Sequence, residues 1–82
     1  MFTVYALSSE VRSYICVGMT SNLEKRLTAH SRGYERTTKP YRPFVLIYTE
    51  EYSTRKEARM REKYLKSGVG KSYLKSIQQK SE

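Results

Sequence analysis

Residues 18–30 read GMTSNLEKRLTAH, and here the chain stops looking like strand and starts looking like helix. Ser21 with Glu24 three positions later has the form of a capping box, which makes Ser21 the expected N-cap. The helix should run from about Asn22 to Ser31 and end at Gly33, a residue type suited to a left-handed C-terminal cap. Asn22, Arg26 and His30 stand at i, i+4 and i+8 and therefore share one face. Leu23 and Leu27 lie on the adjoining face, with His30 at the edge of that apolar stripe. Arg26 and His30 in line suit a phosphate, Arg as a clamp on its oxygens and His as a hydrogen-bond donor or proton carrier. An exposed i, i+4 pair with no task has the same spacing, and both readings stand at this point.

Working outward, residues 2–7 and 13–18 are β-branched and aromatic and predict two strands, joined by a polar link over 8–12 into a hairpin. Downstream, residues 34–43 form a basic polar loop carrying Arg36, Lys39, Pro40, Arg42 and Pro43. Residues 44–52 give the strongest strand pattern. Thr54-Arg55-Lys56-Glu57 is a second capping box, opening a helix that reaches about Lys66. Ser67-Gly68-Val69-Gly70 breaks it, and a short last helix is expected over 71–77, followed by a tail prone to fray. The order β-β-α-β-α-α predicts an α+β fold, a three-stranded, mainly antiparallel sheet flanked by helices. A length of 82 residues fits a single domain over 1–82, one that buries only about 60–65% of its unfolded surface.

Composition narrows the function. Sixteen Lys and Arg against eight acidic residues give a net charge of +8, which favours a polyanionic partner, most commonly nucleic acid. The eight tyrosines can stack on bases or donate to phosphates, although most tyrosines in a small domain simply pack. Aspartate is absent, so acidic chemistry has to run through Glu, which argues against two-metal nuclease sites built from several carboxylates. Cys16 alone cannot form an intramolecular disulfide, and with His30 as the one histidine it cannot build a zinc site. The N-terminus has no signal-peptide pattern and no apolar run reaches membrane-span length, so a cytoplasmic home without a membrane partner is expected.

On the second helix Ala58, Glu62 and Leu65 stand at i, i+4 and i+7, which turns Glu62 toward the sheet. A carboxylate there costs several kcal/mol unless it is paired or binds a cation. It can hold a metal, or it can pair with Lys66 at i+4; Glu57 is already explained by its capping box. Tyr5 lies centrally in the first strand. Tyr14 and Cys16 share one face of the second.

These residues, taken together, resemble the GIY-YIG nuclease superfamily. Thr3-Val4-Tyr5 stands at its first motif and Cys16-Val17-Gly18 at its second. The run from Gly18 through Arg26 to His30 is similar to the family's first helix. Glu57-Ala58-Arg59-Met60-Arg61-Glu62-Lys63-Tyr64-Leu65-Lys66 resembles its later helix, whose metal-binding acid maps to Glu62. The likeness covers roughly residues 2–75 and is nearest to small stand-alone bacterial proteins. It implies that Tyr5 orients or deprotonates the attacking water. It further implies that Arg26 stabilises charge on the phosphate, that His30 assists proton transfer or holds the phosphate, and that Glu62 binds one Mg²⁺ or Mn²⁺. Tyrosine, with a pKa near 10, needs a nearby cation to serve as a base, and Arg26 and the metal are the groups placed to provide one. The chain departs from the pattern at Thr3, at Met19 and above all at Cys16, where the family usually has Tyr. A thiol is shorter and a weaker hydrogen-bond partner, and Tyr14 is about 6.5–7 Å away along the strand.

The function expected from the resemblance is a metal-dependent endonuclease domain that hydrolyses DNA with little sequence preference. RNA is left open as a substrate. The alternative is a nucleic-acid-binding module on the same scaffold, with little or no catalysis. Arg36, Lys39 and Arg42 of the basic loop, extended by Lys71 and Lys75, are the expected backbone contacts. A monomer or weak dimer is expected, with Tyr41 and Tyr52 as candidate contact residues.

Overall fold

A computed structural model of the chain describes residues 1–33 and 39–80. The order is β1 (Phe2–Ser9), β2 (Ile15–Thr20), α1 (Leu23–Arg32), one 3₁₀ turn (Lys39–Tyr41), β3 (Phe44–Tyr52), α2 (Arg55–Lys66) and α3 (Gly68–Lys80). The expected α+β architecture is present: three antiparallel strands in the order β2-β1-β3, with three helices.

β1 is central and is buried from Val4 to Ser9. This follows from cover on both sides. Val4 and Ala6 pack with Ile15 and Val17 of β2 against Ala58 and Leu65 of α2 and Leu74 of α3. The intervening residues Tyr5 and Leu7 point to the other face. There Leu7 shares a small cavity with Leu27 and His30 of α1 and with Phe44 and Leu46 of β3. A strand buried on both faces reads as a continuous apolar run rather than as alternation.

β2 begins two residues later than expected, because the link after β1 is a built turn. Ser9 Oγ accepts the N–H groups of Val11 and Arg12 at 3.2 and 3.1 Å, a local mimic of a backbone turn. The Ser9 N–H donates to the Tyr14 carbonyl at 2.9 Å and closes the hairpin. β2 then extends to Thr20, which pairs with Thr3.

Three helix ends explain how the sheet is capped. The N-cap of α1 is Asn22 and not Ser21: Asn22 Oδ1 accepts the Lys25 N–H at 3.1 Å. Thr20 Oγ1 accepts the Asn22 N–H at 3.0 Å, which fixes the chain one position further along. Gly33 ends α1 as expected, at φ 77°. Thr54 caps α2, with Oγ1 accepting the Glu57 N–H and donating to Glu57 Oε1 at 2.8 Å.

The last helix starts at Gly68, three residues earlier than expected. Ser67 serves both helices: its N–H donates to the Tyr64 carbonyl, and its own carbonyl accepts the Lys71 N–H at 2.9 Å. The run that breaks α2 therefore begins α3. Gly70 allows this corner, because a Cβ there would collide with the Tyr64 carbonyl oxygen and Leu65 Cα. Among the described residues no helix is long and apolar enough to cross a membrane.

Candidate active site

The site begins at the middle of β1. Tyr5 is 1% exposed and pairs with Gly18 across the β1–β2 ladder. Gly18 has no side chain to block the phenol; a Cβ there would lie 2.5 Å from Tyr5 Oη. The ring therefore extends over the Gly18 backbone toward α1. Its oxygen accepts a hydrogen bond from Arg26 Nε at 3.2 Å and lies 3.1 Å from His30 Nε2. The Oη–Nε2 contact can carry the phenol proton to the imidazole when the ring proton is on Nδ1. His30 is buried and is held edge-to-face by Tyr5 and by Phe44, at ring separations of 5.9 and 6.0 Å. The Arg26–His30 spacing on α1 thus meets the one tyrosine at the sheet centre.

Glu62 approaches from α2, around the outer edge of β2. It lines the same cleft, of about 470 Å³, as Tyr5, Gly18, Arg26 and His30. Its inward position agrees with the i, i+4, i+7 pattern, since Ala58, Glu62 and Leu65 are the buried residues of α2. Of the two readings of Glu62, the ion pair with Lys66 is present. The carboxylate points into the cleft and also pairs with Lys66 Nζ at 3.3 Å, with Arg59 Nε at 4.0 Å.

No cluster of three or more His, Cys, Asp or Glu able to hold a metal occurs among the described residues. A single buried carboxylate still fits a hard divalent ion of the Mg²⁺ type. Such ions take one or two carboxylates and complete their shell with water and substrate phosphate oxygens.

Cys16 and Tyr14 form the wall beyond Gly18. The Tyr14 phenol is pushed above its ordinary 10.0, first by burial and then by Cys16 and Tyr41 beside it. Tyr14 stacks on Tyr41 with ring centres 4.1 Å apart, and Lys71 Nζ sits 5.7 Å from its ring centre. Lys71 also donates to the Ile15 carbonyl at 2.9 Å, which ties α3 to β2.

The residues expected to contact a nucleic-acid backbone are dispersed. Lys71 lines the cleft; Lys39 and Lys75 are exposed and do not line it. Arg42 turns back on the end of α1, where Nη1 donates to the Ser31 carbonyl and Nε to the Lys39 carbonyl, each at 3.4 Å. Arg36 lies outside the described residues. Lys66 also lines the cleft, and the sequence shows it only as a partner for Glu62. Its signal was the same i+4 spacing, read from the side of the cleft.

The family described as the GIY-YIG catalytic domain matches residues 1–77. The chain is 37% identical over 79 residues to a UPF0213 protein of Clostridium perfringens, covering 95% of this chain and 84% of that protein. It is 38% identical over 64 residues to a UPF0213 protein of Staphylococcus haemolyticus, covering 77% and 78% respectively. No solved structure gives a significant match.

Proposed function

The chain belongs to the GIY-YIG catalytic domain family, which implies nuclease-type activity, and on that premise we propose that it is a divalent-metal-dependent endonuclease cutting DNA backbones in the Tyr5–Glu62 cleft. The observation that carries this reading is the placing of Tyr5 Oη between Arg26 Nε and His30 Nε2, in one cleft with the buried carboxylate of Glu62.

Hydrolysis of a phosphodiester needs an in-line water, neutralisation of charge on the phosphoryl oxygens, and a stabilised leaving oxygen. Tyr5 Oη faces the cleft and takes the proton of the attacking water, while its own proton moves to His30 Nε2. As the new P–O bond forms, the bond to the leaving sugar oxygen breaks and that oxygen takes a proton from solvent. Arg26 supplies a fixed positive charge to the phenol oxygen and to the phosphoryl oxygens. Glu62 is the residue that would hold Mg²⁺ or Mn²⁺, an ion that would supply charge neutralisation to the reacting phosphate. Burial of Tyr5 and His30 keeps bulk water from competing for these contacts. Backbone contacts of this kind carry little sequence information.

Purified protein with Mg²⁺ or Mn²⁺ is expected to nick supercoiled plasmid, and Glu62→Ala to abolish nicking. Nicking that persists undiminished in Glu62→Ala would overturn the assignment.

Cys16 favours a second reading, binding without cleavage, because it stands where the family usually has a tyrosine. The nearby phenol of Tyr14 is held in a stack instead of reaching the Tyr5–His30 pair. That reading predicts salt-sensitive DNA binding with no cleavage under either metal, in the parent and in Cys16→Tyr alike.

A further inference from the structure

Arg55, Arg59, Glu62 and Lys66 stand at i, i+4, i+7 and i+11 on α2, within about 60° of arc on a helix of 3.6 residues per turn. They make one stripe, with the buried carboxylate between cations. The cleft that holds Tyr5 and Glu62 does not end at Glu62. A second groove, lined by Arg55 and Arg59 together with Phe2 and Thr20, shares both Met19 and Glu62 with it. Glu62 thus sits at a junction, with Lys66 and Lys71 to one side and Arg55 and Arg59 to the other. Among the described residues it is the sole carboxylate lining either groove.

We propose that this stripe of α2 is the track for a polynucleotide backbone, with Arg55 and Arg59 holding phosphates on one side of the bond to be cut and Lys66, with Lys71, holding them on the other. The inference rests on the reading of the Glu62 cleft as the place where the phosphodiester lies. The dimensions agree. Eleven residues of helix rise about 16 Å at ~1.5 Å each, a length that reaches more than one phosphate of a strand. The charge also agrees. Arg59 and Lys66 share one carboxylate, and that leaves the stripe net positive in its resting form. Arg42, engaged at the end of α1, is not part of this track.

The test is the salt dependence of binding to a fluorescently labelled DNA duplex, followed by anisotropy without added metal. Each phosphate contact contributes about 0.9 to the slope of log K against log salt. Arg55→Gln/Arg59→Gln is expected to lower that slope by about 1.8 and to leave the helical signal in circular dichroism unchanged. Lys25→Gln/Arg32→Gln removes equal charge from exposed positions of α1, outside both grooves, and is expected to leave the slope within about 0.3 of the parent's. Equal losses in the two pairs, or a loss in the control pair alone, overturn the track. So does a parent that fails to bind DNA at low salt. Plasmid nicking on the same preparations separates the two claims. A parent that nicks while the stripe variant keeps its slope sinks the track and leaves the cleavage reading standing. A parent that never nicks while the stripe variant loses its slope supports the track and sinks the cleavage reading.

Discussion

Replacing Gly18 with alanine tests whether the Tyr5 phenol is fixed by the sheet. The backbone at Gly18 is ordinary, with no positive φ, so the substitution adds no strain of its own. It adds one methyl group, placed 2.5 Å from Tyr5 Oη, 2.7 Å from Cζ and 3.1 Å from Cε1. Contact distances for carbon begin near 3.5 Å, so the ring has to move by close to 1 Å. It has nowhere easy to go, since Tyr5 is buried and its oxygen is held by Arg26 and set against His30. Overpacking of this kind costs about 1–3 kcal/mol, and each lost hydrogen bond adds about 0.5–1.5 kcal/mol. A cost of about 2 kcal/mol corresponds to a fall in melting temperature of roughly 8–16 °C for a domain of this size. Misplacing a reacting group by about 1 Å lowers a rate by about a hundredfold. Thermal unfolding by circular dichroism reads the first effect, and plasmid nicking under saturating metal reads the second. Tyr5→Leu, which ends before Cζ and Oη, provides the internal check. In that background Gly18→Ala should cost clearly less stability than in the parent, a coupling that a double-mutant cycle isolates. A Gly18→Ala protein that melts within ~2 °C of the parent and nicks at the parent's rate would refute the reasoning.

Other sites give predictions of differing sign. Asn22→Ala should lower stability by about 1 kcal/mol and Ser21→Ala hardly at all, as measured by thermal melts; equal effects would restore Ser21 as the cap. Gly70→Ala sets a methyl group against the Leu65 and Tyr64 backbone and should cost about 1–3 kcal/mol. Gly68→Ala meets nothing within 4 Å and should be neutral or stabilise by up to about 1 kcal/mol; denaturant midpoints distinguish the two. Tyr14 and Tyr48 are both raised above the phenol value of 10.0, burial being the first cause in each. A group raised in the folded state contributes stability that is complete below its unfolded pKa and is lost as pH climbs through the folded value. Stability should therefore hold to about pH 10 and then fall, and Tyr14→Phe should blunt that alkaline loss in urea titrations across the range.

What could be read in the sequence was whatever local chemistry decides. Thr54 with Glu57, and Gly33 after a helical run, specify ends by hydrogen bonds made within a few residues, and both ends fall where they were expected. Ser21 failed for an equally local reason: Thr20 offers its hydroxyl to the Asn22 N–H, and Asn22 then caps better placed N–H groups than Ser21 can. The start of α3 was hidden because Ser67 closes one helix and opens the next, and the glycine that looks like a breaker is there to let Leu65 pass. The pairing of Tyr5 with Gly18 is a matter of register between two strands, which neither strand states alone.

The same division runs through the site. Arg26 and His30 share a face by helical spacing, and Glu62 faces inward by spacing with Ala58 and Leu65, so each half of the cleft was legible by itself. Their meeting was not, because α1 contributes from one face of the sheet and α2 from around the β2 edge. That edge is short, and opposite the tyrosine it carries Gly18, a residue without a side chain. A bulky residue at position 18 would wall Tyr5 off from the space that Glu62 enters. The glycine is therefore what lets a buried phenol and a carboxylate from opposite layers face one cleft. The cations beside Glu62 belong to the same logic. A lone buried carboxylate is costly without partners, and Lys66 and Arg59 offset that cost when no other cation is present. Their spacing along α2 then sets them on either side of Glu62, at the positions a strand of phosphates would need them. In this chain the residues that make Glu62 tolerable as a buried charge and those that make it accessible to a polyanion are the same residues.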